Sequence, residues 1–280
     1  MENTALYLFC FARWDAVREV RRPAAESCSS PSILRHPPDL CPADLCSVEL
    51  CSVVCEVPRE EFCGPEAELH MQQLSWVAPH AVHHEAVIEE VMAHSPVLPA
   101  RFGTLFSSAK ALTEFVKQHR EAITLFLEHV ADHGEWSVKG RFDRKQAQAA
   151  VMSPSLTAQQ EELSTLPPGK RHFAEQRLRR DIDIELSAWL ERTGRNLAAD
   201  LTTYASDFRE CAVAPGAHSN GGIAEVSNWA FLLPKAAIVP FQESVERANL
   251  NYQSQGLRLQ LSGPWPPFRF VPVLSATGAI

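Results

Sequence analysis

The chain has 280 residues, 45% of them apolar and 21% charged, with a formal net charge of −8. That length suits one large domain or two ordinary ones with a real hydrophobic core, and the acidic balance argues against a protein that neutralises phosphates, so no nucleic-acid partner is expected. No apolar run approaches the ~20 residues of a membrane span, and the opening Met1-Glu2-Asn3-Thr4 lacks the basic flank of a secretory signal, so the expectation is a soluble cytoplasmic protein with free thiols and no membrane insertion.

Residues 5–11 are apolar on both faces, which predicts a central strand. Between Trp14 and Asp44 stand Pro23, Pro31, Pro37, Pro38 and Pro42, and this stretch reads as a long loop. Residues 48–57 predict a second strand, stopped by Pro58. His84, Val87, Ile88 and Val91 recur at helical spacing, with Pro79 in the first turn and Ser95-Pro96 at the end. Residues 97–106 read as extended chain. A longer helix is predicted from a Ser108 cap to His133, with Leu112, Phe115, Ile123, Phe126, Leu127 and Val130 buried and Gly134 as its stop.

A boundary at His133-Gly134 divides the chain into an N-terminal α+β domain, 1–133, and a second domain, 134–280. In the latter, Trp136, Val138 and Phe142 alternate with Ser137, Lys139 and Arg141 as in a half-buried strand. A helix follows Pro167-Pro168-Gly169, with Ile182, Leu186, Trp189 and Leu190 on one stripe and a break at Gly194. Strands are predicted at 208–213 and 226–233, a helix from Pro240 to Gly256, and a strand at 257–261. The order β-α-β-β-α-β is the ferredoxin-like pattern, with an enlarged first crossover. The tail 263–271 is too proline-rich for a sheet interior.

Chemistry is sparse. Cys41, Cys46, Cys51, Cys55 and Cys63 crowd one stretch, yet their near-uniform spacing is not that of paired zinc ligands, and packing is the simpler reading. His80, His83, His84 and Glu85 fail the H-E-x-x-H pattern because Ile88 stands where the second histidine belongs. His80 and His84 share a helix face, so the alternative reading is a zinc-stabilised or metal-dependent module using them with the cysteines. A small-ligand sensor in the ferredoxin-like half is a further alternative. Residues 216–221 match a nucleophile elbow only loosely. Lys170, Arg171, Arg177, Arg179 and Arg180 alternate with Glu175, Asp181, Asp183 and Glu185, the composition of a solvated helix face. No catalytic residue and no cofactor is expected.

Two stretches remain conspicuous. Residues 96–106 (Pro-Val-Leu-Pro-Ala-Arg-Phe-Gly-Thr-Leu-Phe) and 263–271 (Gly-Pro-Trp-Pro-Pro-Phe-Arg-Phe-Val) combine rigid prolines, aromatics and arginine. A proline-clamped tryptophan loses little entropy on docking, onto its own protein or onto a partner. If 99–104 is extended, Arg101 and Phe102 point to opposite faces, Phe102 inward.

With the opening strand Leu6-Tyr7-Leu8-Phe9, the helix led by His84, and Glu135-Trp136 with Lys139, these two stretches make the sequence resemble the GvpF/GvpL family of gas vesicle proteins. The chain departs from the family pattern at Phe268-Arg269, where a Tyr-Ser pair is common. The cysteine cluster and the loop before it match nothing in the family. The resemblance implies an α+β domain joined to a modified ferredoxin-like domain with extra helices. It implies a non-enzymatic minor component of gas vesicle assembly that contacts the hydrophobic shell protein GvpA and other accessory proteins, on the gas-facing side of the shell. The residues expected to serve structure or interaction are Pro99, Arg101, Phe102, Gly103, Trp136, Trp265, Pro266, Pro267 and Phe268.

Overall fold

Strand β1 (Thr4–Arg13) runs between β3 (Leu50–Pro58) and two short strands, β4 (Val97–Pro99) and β5 (Leu105–Phe106), which pair with successive parts of its other edge. Its apolarity on both faces is explained by this central place, with α4 (Leu74–Met92) and α5 (Ala109–His129) both packed against it. The computed structural model describes residues 4–17, 31–37, 49–151, 167–213, 218–219 and 222–274. The chain divides into two compact units, one of Met1–Glu135 with Pro264–Ile280 and one of Trp136–Gly263. The proline-rich tail therefore packs within the first unit, although the sequence reading attaches it to the second half.

In the first unit a bulge decides which side chains face where. The β1–β3 register steps from Leu8↔Val54 to Cys10↔Val53, leaving Phe9 as the extra residue. Alternation is thereby reversed along the strand, and Tyr7, Phe9, Cys10 and Ala12 all join one core cluster with Val87, Ile88 and Val91 of α4. Phe11 turns the other way and stacks on Phe115 of α5, ring centroids 6.2 Å apart.

Several local expectations are corrected here. The proline-rich stretch is not all loop: Trp14–Val17 is a helical turn, α1, and Ser32–His36 is an edge strand, β2, pairing antiparallel with β3 between Pro31 and Pro37. Two short helices, α2 (Arg59–Phe62) and α3 (Pro65–Met71), precede α4, and Pro79 lies inside α4 instead of in its first turn. Ser108 does cap α5, its Oγ accepting from the Ala111 N–H at 3.2 Å, a contact worth ~1 kcal/mol. Gly134 does not stop that helix, which ends at His129. Gly134 belongs instead to β6 (His133–Asp143).

The second unit has its sheet in the order β10-β6-β9-β7, formed by β6, β7 (Asp207–Glu210), β9 (Ile223–Pro234) and β10 (Leu257–Trp265), with the two-residue β8 (His218–Ser219) pairing β9. Helices α6 (Arg144–Val151) and α7 (Pro168–Thr202) fill the first crossover, and α8 (Ile238–Tyr252) the second, which is the ferredoxin-like connectivity. Trp136, Val138 and Phe142 meet Trp229, Phe231, Leu233 and Phe241 in one core. The chain leaves α8 through Gly256, whose φ of 81° suits glycine and whose missing Cβ would strike the Asp143 carbonyl. Pro264 is accommodated because β10 is an edge strand, where a missing N–H costs least.

Helix α7 is continuous for 35 residues, so Gly194 does not break it. Burial of Ile182, Leu186, Leu197 and Leu201 at helical spacing carries the helix through the glycine. A Cβ at Gly194 would meet nothing within 4 Å. Gly194→Ala is therefore expected to raise stability by about 0.5–1 kcal/mol, read as a higher urea midpoint with unchanged slope.

Candidate functional site

The five residues between β4 and β5 form a loop on the β1 edge, seated against the Phe9 bulge. The Ala100 N–H donates to the Phe9 carbonyl at 2.8 Å, and the Leu8 N–H to the Thr104 carbonyl at 2.9 Å. A tight turn follows, with the Thr104 N–H and hydroxyl both donating to the Arg101 carbonyl at 3.1 and 2.6 Å. Gly103 takes φ 81° at the third position of that turn, where a type II geometry demands a positive value.

His84 of α4 pins this loop from beneath. Its Nε2 lies 3.2 Å from the Ala100 carbonyl, which can only accept, so that nitrogen carries the proton. Burial holds the imidazole neutral, its pKa lowered to about 4 against the opposing pull of the Ala100 carbonyl. Nδ1 is then an acceptor, and the Tyr7 hydroxyl donates to it at 2.9 Å. The same hydroxyl accepts from the Gly103 N–H at 3.2 Å. Phe102 is half-buried with its ring 6.2 Å from Tyr7 and 5.8 Å from His84, while Arg101 points to solvent and pairs with no carboxylate among the described residues.

Both ring nitrogens of His84 are thus occupied, so it cannot join His80 as a metal ligand without dismantling the loop. His80 stacks on Trp76 at 4.0 Å, and its Nδ1–H donates to the Trp76 carbonyl at 2.6 Å. Cys51 and Cys55 are buried in the first core. Cys41 and Cys46, like most of residues 216–221, lie outside the described residues. Among the described residues no group of histidine, cysteine or carboxylate side chains is placed to hold a metal ion, and no helix is long and apolar enough to cross a membrane.

The tail reaches the same place. Pro266 and Pro267 are buried, Trp265 is half-buried, and Phe268 is exposed. The Phe268 N–H donates to the Pro266 carbonyl at 2.7 Å, which turns the chain there. Glu135, 1% exposed, accepts from the Arg269 backbone N–H at 2.9 Å and from its guanidinium at 2.7 Å. Burial pushes the Glu135 carboxyl up from its ordinary range, and the Arg269 bonds partly reverse that. Arg269 therefore clamps the tail onto Glu135.

Together the two conspicuous stretches line one groove of about 540 Å³. Leu8, Phe11, Phe106 and Phe115 are its apolar lining from the sheet and α5, and it is bordered by the loop from Pro99 to Thr104, Phe102 excepted, and by the tail from Phe268 to Leu274, Phe270 excepted. Arg101 and Phe268 stand exposed among its lining residues. Trp136 lies elsewhere, 7% exposed in the core of the second unit. Sequence reasoning missed the pairing of Glu135 with Arg269 and the apolar lining of the groove, since neither has a local signal; Phe11 and Phe115 read only as core positions.

The described residues make an α+β protein of two units, the second with ferredoxin-like connectivity. The chain belongs to the gas vesicle synthesis protein GvpL/GvpF family, whose model matches residues 5–272. It is 25% identical over 226 residues to gas vesicle protein L of Streptomyces sp. (strain CB03234), covering 78% of each chain. Its fold is that of the gas vesicle protein GvpF from Anabaena sp. PCC7120, with a TM-score of 0.58, 17% identity and coverage of 96% of this chain and 97% of the other. GvpF from Microcystis aeruginosa is similar, with a TM-score of 0.56 at 17% identity and coverage of 96% and 99%.

Proposed function

We propose that this gas vesicle family member acts in vesicle assembly by binding the hydrophobic shell protein GvpA and other accessory proteins through the groove of the first unit. The observation that carries this reading is the convergence of the two stretches, from opposite parts of the chain, on one apolar groove with Phe268 and Arg101 at its exposed border. An aromatic and an arginine beside an apolar cleft are the side chains that dominate binding energy at interfaces. The loop is held rigid by the Tyr7–His84 relay and the tail by Glu135–Arg269, so little freedom is lost on docking. The role is anchoring and shielding of a small apolar client before it polymerises, with no chemical step. In this reading the protein works in the cytoplasm at the growing vesicle, against the gas-facing side of the shell, the side whose apolarity the groove matches.

Phe268→Asp and Arg101→Glu test this. Both side chains are exposed, so the melting temperature of each variant is expected to stay close to that of the parent chain. Capture of GvpA by the purified protein should fall about tenfold or more in each. Undiminished capture by both variants would move the binding face elsewhere.

A further inference from the structure

The N-terminal half of α7 presents a stripe that the described residues of its own unit leave uncovered. Phe173, Arg177, Arg180 and Ile184 stand at i, i+4, i+7 and i+11, within a sector of about 60° on the helix. Phe173 is 75% and Ile184 61% exposed, and both arginines face solvent between them. Helix α8 repeats the spacing with the opposite charge: Val239, Glu243, Glu246 and Leu250. Val239 is 62% and Leu250 74% exposed, and both glutamates face solvent. Each stripe is thus an apolar residue, two like charges and another apolar residue. The 4-3-4 spacing reads the same in either direction, so the stripes match in parallel or antiparallel alignment.

Isolated exposed apolar side chains need no explanation. Two stripes of equal length, equal spacing and opposite charge are a different matter. We propose that α7 of one copy of this chain docks on α8 of a second copy, apolar ends against apolar ends and arginines against glutamates. The two stripes of one chain both face solvent and so do not cover each other. A second copy brings the complementary stripe, and the contact can be made twice about a two-fold axis. Arg180, Glu243 and Glu246 make no ion pair with any described residue, and Arg177 has only an exposed contact of 3.9 Å with Asp181, which costs little to exchange.

The test is sedimentation velocity on the full chain across a concentration series, at low and high salt. The parent chain is expected to self-associate, more weakly as salt rises. Arg177→Glu with Arg180→Glu, and separately Glu243→Lys with Glu246→Lys, should each weaken self-association about tenfold or more, because each variant sets like charges face to face. Mixed in equal amounts, the two variants should associate with each other, since both contacts become complementary again. Phe173→Ser with Leu250→Ser should also weaken association while leaving far-UV circular dichroism unchanged. A parent chain that remains monomeric at the highest concentration reached, reversal variants that still self-associate, or a mixture that stays monomeric would each overturn the proposal.

Discussion

Arg269→Ala is expected to destabilise the first unit by about 2–3 kcal/mol, below the usual cost of breaking a buried ion pair because the arginine side chain is 36% exposed and its backbone bond to Glu135 survives. The loss comes mainly from what is left behind: Glu135, 1% exposed, would keep its charge with one backbone N–H as partner. Glu135→Gln in the same background should recover most of it, since a neutral amide oxygen can still accept that bond. The pH dependence identifies the mechanism. Burial already raises the Glu135 pKa in the folded chain, and removing the guanidinium raises it further. A carboxyl whose folded pKa lies above its unfolded value binds a proton preferentially in the folded state, so its contribution worsens as pH rises through that window. The Arg269→Ala deficit should therefore be smaller at pH 5 than at pH 7, and urea midpoints of the four chains of the double-mutant cycle measure it. An equal deficit at both pH values would mean that lost packing, and not an unpaired carboxylate, is responsible.

Acid should loosen the same unit by a separate route, with an effect of about 4 kcal/mol between pH 7 and pH 5. His36 and His84 are both buried and neutral, each with a pKa lowered from 6.5 to about 4, in both cases chiefly by burial. His36 Nε2 lies 2.8 Å from the Ser52 hydroxyl, and the nearby Arg120 guanidinium depresses it further. Because the folded pKa lies below the unfolded one, the unfolded chain binds more protons between them, and stability is lost as pH falls through that window. At pH 5 the unfolded forms lie about 1.5 units inside it, which is about 2 kcal/mol for each histidine. His133 is shifted in the same direction, and Glu135 opposes. Urea titrations at pH 7, 6 and 5 should show nearly two protons taken up on unfolding near pH 5. In His84→Gln the slope should drop by close to one proton, whatever the stability of the variant itself. An unchanged slope would mean that His84 is not held neutral, and its Nδ1 would then donate to the Tyr7 hydroxyl instead of accepting from it.

What the residues alone determined about this protein is considerable, because it rests on short-range physics. The α+β class, the ferredoxin-like order of the second half, the Ser108 cap and the buried stripe of α5 all follow from periodicity and local hydrogen bonding. The family was legible too, because a string such as Gly-Pro-Trp-Pro-Pro can be read without knowing the fold. What failed was local in a different sense: Pro79, Gly134 and Gly194 were read as punctuation. At Gly194 tertiary burial overrides a helix propensity penalty of about 1 kcal/mol, because Ile182 and Leu186 before it and Leu197 and Leu201 after it are buried. Edge strand β2 was hidden among prolines because its partner, β3, lies beyond them in the chain. The candidate site was legible only as two fragments. That the loop and the tail share a groove depends on the Phe9 bulge, which turns Phe11 toward Phe115, and on Glu135 meeting a residue 134 positions away. Neither leaves a periodic trace, because a one-residue shift of register and a long-range ion pair are settled by packing in three dimensions.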